Sequence, residues 1–232
     1  MADVARNANF PEKEVELRKQ NRKQALLAQL ADPGFLAGRK FNELVYGQHP
    51  YAHVGPTMQS LDGLDRKAVV TFRDQYFAPN NAVLILIGKI PARADAMKAI
   101  EAQFGSWQRK EVPPTPAAPL PESRRQFVLV DRPGSVQADI HIGRLAVTRS
   151  SSEYYPLLVG RMILGGGSSS RMFVNIREKE GFAYDAHAEQ SAHRDAGTFT
   201  AVTQVRNEVV EPALKAVLAE LERMQKERVS AE

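Results

Sequence analysis

A chain of 232 residues, 43% hydrophobic and 25% charged, has the composition of a globular protein able to bury a core, and length enough for two modest domains. Its 31 basic and 27 acidic residues leave a formal charge of +4, but the two signs are mixed along the chain, which argues against a dedicated nucleic-acid-binding stripe. Cysteine is absent, and with it disulfides, thiolate metal sites and a cysteine nucleophile; no run approaches the roughly 20 apolar residues of a membrane-spanning helix.

Met1 to Phe10 lacks the apolar core of a secretory signal, so composition leaves the compartment open. Glu12 to Ala31 has helical periodicity through Val15, Leu17, Leu26, Leu27 and Leu30, with Pro33 and Gly34 as a stop. The basic residues on this helix (Arg18, Lys19, Arg22, Lys23) have no interleaved aromatics and read as a solvated face. A short helix is predicted over Phe35 to Tyr46, then a turn from Gly47 to Pro56, then a helix capped by Asp65 with Val69, Phe72 and Tyr76 on one face.

Ala82 to Gly88 is a continuous apolar run of the length of a fully buried strand, and Ala92 to Trp107 follows as an amphipathic helix. Five of the ten residues from Val112 to Pro121 are proline, which cannot donate a regular backbone ladder. The spacing therefore predicts a first domain over 1–111, a linker over 112–123 and a second domain over 124–232. In the second, strands are predicted at Gln126 to Val130 and Val136 to Val147, and helices at Glu153 to Leu164 and Arg171 to Lys179, the last ended by Gly181. An antiparallel pair, Ala183 to Ala192 and Gly197 to Val205, precedes a closing helix from about Asn207 in which Pro212 sits in the first turn.

Candidate chemistry is sparse. His49 and His53 have the i,i+4 spacing of paired metal ligands on a helix, but Pro50 and the flanking glycines make the segment a turn, and no glutamate accompanies them as a base. His141, His187 and His193 do not assemble into a metal motif by spacing. The run Gly165, Gly166, Gly167, Ser168, Ser169, Ser170, Arg171 can be read as an anion-cradling loop, as a source of serine nucleophiles, or as a helix-to-helix turn capped by Ser170. It lacks the lysine of a nucleotide-binding loop.

Two groups of motifs carry a family resemblance. Leu164 to Arg171 continues into Arg171-Met-Phe-Val-Asn-Ile-Arg-Glu-Lys-Glu-Gly-Phe-Ala-Tyr184. Upstream lie Leu44-Val-Tyr-Gly-Gln-His-Pro-Tyr51, Pro56-Thr57, Ser60-Leu61 and Tyr76-Phe-Ala-Pro-Asn-Asn-Ala82. In wording and order these resemble the family of pitrilysin, insulin-degrading enzyme and the mitochondrial processing peptidase. The resemblance implies a duplicated peptidase-type α+β fold, two-layer, with mostly antiparallel sheets and helices packed on one face, arranged as a clamshell around peptide.

The same resemblance implies zinc held by an inverted His-x-x-Glu-His motif and a later glutamate. This sequence contains no such motif, and the two usual acidic positions of the later helix fall on Arg18 and Ala25. The expectation is that this chain supplies no catalytic residue and holds no metal, with zinc on a partner subunit or domain. What the resemblance does place here is the substrate-holding pair, on Arg177 and Tyr184, with Gly165, Gly166 and Gly167 beside it. Without the resemblance, an Arg177 paired with Glu178 or Glu180 and a Tyr184 packed for stability is the alternative. The implied protein is a fragment or segment of a non-catalytic, peptide-binding subunit that needs a zinc-bearing partner. A structural or assembly module with the same fold is the rival. Incomplete sheets in such a piece would be covered by self-association of the isolated chain, and the family suggests the bacterial periplasm as its compartment.

Overall fold

The computed structural model describes residues 1–116 and 118–229; Ala117 of the expected linker and residues 230–232 of the expected second domain lie outside the described residues. Two compact units emerge, Met1–Leu27 with Pro56–Ala117, and Ala28–Gly55 with Ala118–Glu232. In chain order the helices are α1 (Ala2–Asn7), α2 (Glu12–Leu30), α3 (Pro33–Tyr46), α4 (Met58–Asp62), α5 (Arg66–Tyr76) and α6 (Arg93–Phe104). Then follow β1 (Gln137–Ala146), α7 (Tyr154–Gly165), a π-helix (Phe173–Lys179), β2 (Ala183–Ala192), β3 (Gly197–Arg206) and α8 (Val210–Lys226). Among the described residues no helix is long and apolar enough to cross a membrane.

Local chemistry explains most boundaries. Pro33 does not merely stop α2: it opens α3, where its missing N–H costs nothing, and Asp32 caps that helix by accepting from Phe35 N at 2.7 Å. Asp65 caps α5 in the same way, accepting from Ala68 N at 2.7 Å. Thr57 and Ser60 form a reciprocal capping box on α4.

In the first unit, arginines tie the amino-terminal segment down. Arg66 donates to the carbonyls of Phe10 and Asn9, both at 2.8 Å, Arg73 donates to that of Ala8 at 2.5 Å, and Arg6 donates to that of Gln103 at 2.6 Å. Lys23 pairs with Asp62 and Lys19 with Glu16, so half of the basic run on α2 is engaged locally.

The second unit is an antiparallel three-stranded sheet in the order β1-β3-β2, with β2 at one edge. The fold class is α+β, as expected. Because side chains alternate across a strand, Ile142, Ala201, Ala186 and Ala188 share one face. There they pack with Leu164 of α7, Met172 and Ile176 around the π-helix, and Val217 of α8. Small residues on that face let the helices approach closely: a Cβ on Gly165 would strike the backbone of Ala188 and His187. Helix α3 runs along β1 on the opposite face, its Phe41 ring 6.3 Å from that of His141.

Two expected strands do not form. The run Ala82 to Gly88, expected as core, has Val83, Ile85 and Ile87 at 87, 72 and 92% exposure. Gln126 to Val130 likewise carries Phe127 and Leu129 at 81 and 80%. Both are outside regular structure because a strand exists only when another strand pairs its N–H and C=O groups. Among the described residues neither run has such a partner. Apolar composition alone cannot supply one.

Candidate functional site

Arg177 lies in the π-helix, a winding rare enough that its occurrence often marks a functional site. The helix is anchored on its inner side, where Met172 and Ile176 are fully buried and Asn175 Nδ2 donates to the buried Glu220 Oε1 of α8 at 3.1 Å. Its end is set by Glu180 N donating to Asn175 O and Phe182 N donating to Ile176 O, both at 3.0 Å. Gly181 then takes φ +63°, a left-handed conformation that glycine adopts without penalty. The chain reverses there and enters β2, with Tyr184 at its second position.

The guanidinium of Arg177 lies over the Tyr184 ring, 4.9 Å from its centroid, and over the Phe173 ring at 4.5 Å. Both distances are within cation–π range. Among the described residues Arg177 makes no ion pair with Glu178 or Glu180, the alternative to a substrate-holding pair, and Tyr184 is 85% exposed. A planar donor fork and a phenolic O–H therefore stand together with no acceptor from the described residues of the protein itself.

The three glycines differ in what they do. Gly165 is buried against β2, and a Cβ on Gly166 would meet Met162 at 2.5 Å, so both permit close packing. Gly167 is exposed, and a Cβ added to it would meet nothing within 4 Å, which leaves its surroundings open. Ser170 does not cap the following helix; its hydroxyl is buried without a hydrogen-bond partner among the described residues.

The histidines divide between structure and surface. His49 is 5% exposed and its Nδ1 accepts from Tyr51 N at 3.2 Å, so it holds the turn at Pro50–Ala52. His187 projects from edge strand β2 between Asp185, 2.5 Å from Nδ1, and Glu189, 3.3 Å from Nε2. The bonds to Glu189 and then Asp185 raise its pKa above the ordinary histidine value, against the opposing effect of burial, and the same pairing lowers that of Glu189. His141 lies in register with Val202, which pairs with His187, and burial lowers its pKa.

These residues do not fit a zinc ion. Arg18 and Ala25 both line a cavity of about 870 Å³ beside Phe10, Val15 and Leu61, and neither offers a carboxylate there. Among the described residues no group of three or more histidine or acidic side chains is placed to hold a metal.

Sequence reasoning singles out Arg177 and Tyr184 but misses Phe173. The available signal is its position four residues before Arg177, which makes the two neighbours on a helix surface. It also misses the alternation Asp185, His187, Glu189, which places all three on one side of a strand.

The second unit is thus an antiparallel α+β unit that presents an arginine and a tyrosine side by side, the class of domain that its relatives share. The chain belongs to the peptidase M16 inactive-domain family, whose model matches residues 63–232. It is 24% identical over 202 residues to an uncharacterized zinc protease, YmxG, of Bacillus subtilis, covering 86% of this chain and 48% of that protein. A Rickettsia felis uncharacterized zinc protease is 24% identical over 234 residues, covering 97% and 54%. Among solved structures, the peptidase M16 inactive domain from Pseudomonas fluorescens superposes with a TM-score of 0.89 at 26% identity, over 98% of this chain and 55% of that one. A Helicobacter pylori protease shares the fold, with a TM-score of 0.91 at 19% identity over 99% and 56%. The chain spans about half the length of the curated relatives it matches.

Proposed function

We propose that this chain is the substrate-binding, non-catalytic part of a zinc metallopeptidase acting on peptides, and that it works only with a zinc-bearing partner subunit or domain. The observation that carries the reading is the Arg177–Tyr184 pair: two donors, the guanidinium 4.9 Å from the ring centroid, with no internal acceptor among the described residues. A guanidinium and a phenol so placed can donate to the carbonyl of an extended peptide, or to the oxyanion that develops when that carbonyl is attacked. Attack on the carbonyl itself falls to the zinc-bearing partner in this reading, because among the described residues no group of side chains is placed to hold a metal.

The partner requirement draws support from the exposed runs Ala82 to Gly88 and Gln126 to Val130, whose apolar side chains and unpaired backbone suit the edge of another sheet. The same runs would serve an assembly module equally well, so peptide contact separates the two readings. The division into parts of two peptidase-like domains, 1–111 and 124–232, joined by a proline-rich linker over 112–123, is part of this proposal.

The test is binding of fluorescein-labelled β-casein, an unfolded polypeptide, by fluorescence anisotropy. Losing a charged donor costs about 1.5–3 kcal/mol, so Arg177→Ala should weaken binding about tenfold or more, and Tyr184→Phe less. Binding that is insensitive to both substitutions would leave the assembly reading standing.

A further inference from the structure

We infer that Phe173 is the positioning residue of this site: its ring fixes the Arg177 guanidinium, and through it the Tyr184 ring, in the orientation that receives peptide. The inference rests on the peptide-binding reading above and adds to it the residue on which the geometry depends.

Three observations lead to Phe173. The first is the absence of any other restraint. Arg177 ends in a long flexible stem, and among the described residues no carboxylate, amide or carbonyl accepts from its guanidinium. What lies against it is two aromatic rings, at 4.5 and 4.9 Å. Second, the two rings are not equivalent. Tyr184 is 85% exposed, so its ring is itself in need of support and cannot anchor anything. Phe173 is partly buried and belongs to a helix locked into the core by Met172, Ile176 and the Asn175–Glu220 hydrogen bond. Order therefore passes outward from the core to Phe173, then to Arg177, then to Tyr184.

The third observation is chemical. A carboxylate in the place of Phe173 would also hold Arg177, but it would occupy the donors that peptide needs and would cancel the charge. An aromatic face attracts a guanidinium through its quadrupole while leaving the N–H edge free. Phe173 thus fixes orientation without using hydrogen-bonding capacity, and a side chain organised in advance loses less conformational entropy when peptide binds. The i,i+4 spacing of Phe173 and Arg177 makes the contact local, so it forms whenever the helix does.

The experiment uses the full chain and two independent readouts. ¹⁵N relaxation of the Arg177 Nε–Hε group reports whether the guanidinium is ordered, and labelled β-casein binding reports the consequence. Phe173→Leu removes the aromatic face with little change of volume; Phe173→Met does the same should the leucine variant fail to fold, as judged by thermal melting. Phe173→Tyr restores the face. In the wild type Arg177 should be ordered without peptide. In the leucine and methionine variants it should become mobile and binding should weaken about two- to fivefold, the worth of an exposed cation–π contact. Phe173→Tyr should recover both. An Arg177 side chain equally ordered without the ring, or losses that tyrosine does not recover, would overturn the inference. Its failure is distinct from failure of the peptide reading, which is signalled by Arg177→Ala binding as tightly as wild type whatever the relaxation data say.

Discussion

Arg177 and His187 illustrate how differently two cationic side chains are used within one short stretch. Arg177 is kept clear of carboxylates, whereas His187 is held between Glu189 and Asp185, and its imidazolium is favoured. The folded-state pKa of His187 lies above its unfolded value near 6.5. Its contribution to stability is therefore fully present below that value and is lost as pH rises through the raised folded one. Glu189 works in the opposite sense: its lowered pKa adds stability above the unfolded carboxylate value, lost as pH falls. The urea midpoint of wild type should exceed that of His187→Gln most clearly in mildly acidic solution, and the gap should narrow as the solution becomes alkaline; a gap constant with pH would refute this. The glycines offer a second residue-scale test. Gly165→Ala places a methyl against the backbone of β2 and should cost about 1–3 kcal/mol of stability, as overpacking does. Gly167→Ala should stay within about 0.5 kcal/mol, since the space there is open. Thermal melts of the two variants make the comparison.

Among the elements, those whose signals are local follow the sequence closely. The strand pair Ala183–Ala192 and Gly197–Arg206 is legible because its alternation and its turn at Arg194, Asp195 and Ala196 are contiguous. α5 is legible from Asp65, and removing that cap as Asp65→Ala should cost about 1 kcal/mol, measurable as a lower melting temperature. The helix carrying Arg177 is legible too, but not its π winding. Within it Ile176 is buried and Asn175 reaches Glu220, forty-five residues away. No local pattern encodes such a contact. The run Ala82 to Gly88 shows the converse. Its composition specifies a buried strand, yet burial needs a partner strand, and the identity of that partner is not written in the run itself.

At the scale of the whole molecule, the exposed apolar runs dominate expected behaviour. Val83, Ile85 and Ile87 in one unit and Phe127 and Leu129 in the other are the kind of unpaired, β-prone surface that drives association. The isolated chain should self-associate at micromolar concentrations. Ile85→Lys combined with Ile87→Lys should shift it towards monomer in sedimentation velocity, without altering the fold of the sheet unit. A wild-type chain that stays monomeric would show that these runs are not adhesive.

The sequence alone determined most helix boundaries and the absence of a zinc motif, which depend on residue identity or on interactions within a few turns of chain, while its family resemblance implied the α+β class and singled out Arg177 and Tyr184. Tertiary structure decided what those residues touch. It kept Arg177 free of Glu178 and Glu180, set it over Phe173 and Tyr184, seated Gly165 against β2, and left Ala82 to Gly88 without a partner among the described residues. The seat of Gly165 on β2 and the unpaired run turn on segments distant in the chain, where the free energy of burial and pairing belongs to both partners and cannot be assigned from either one.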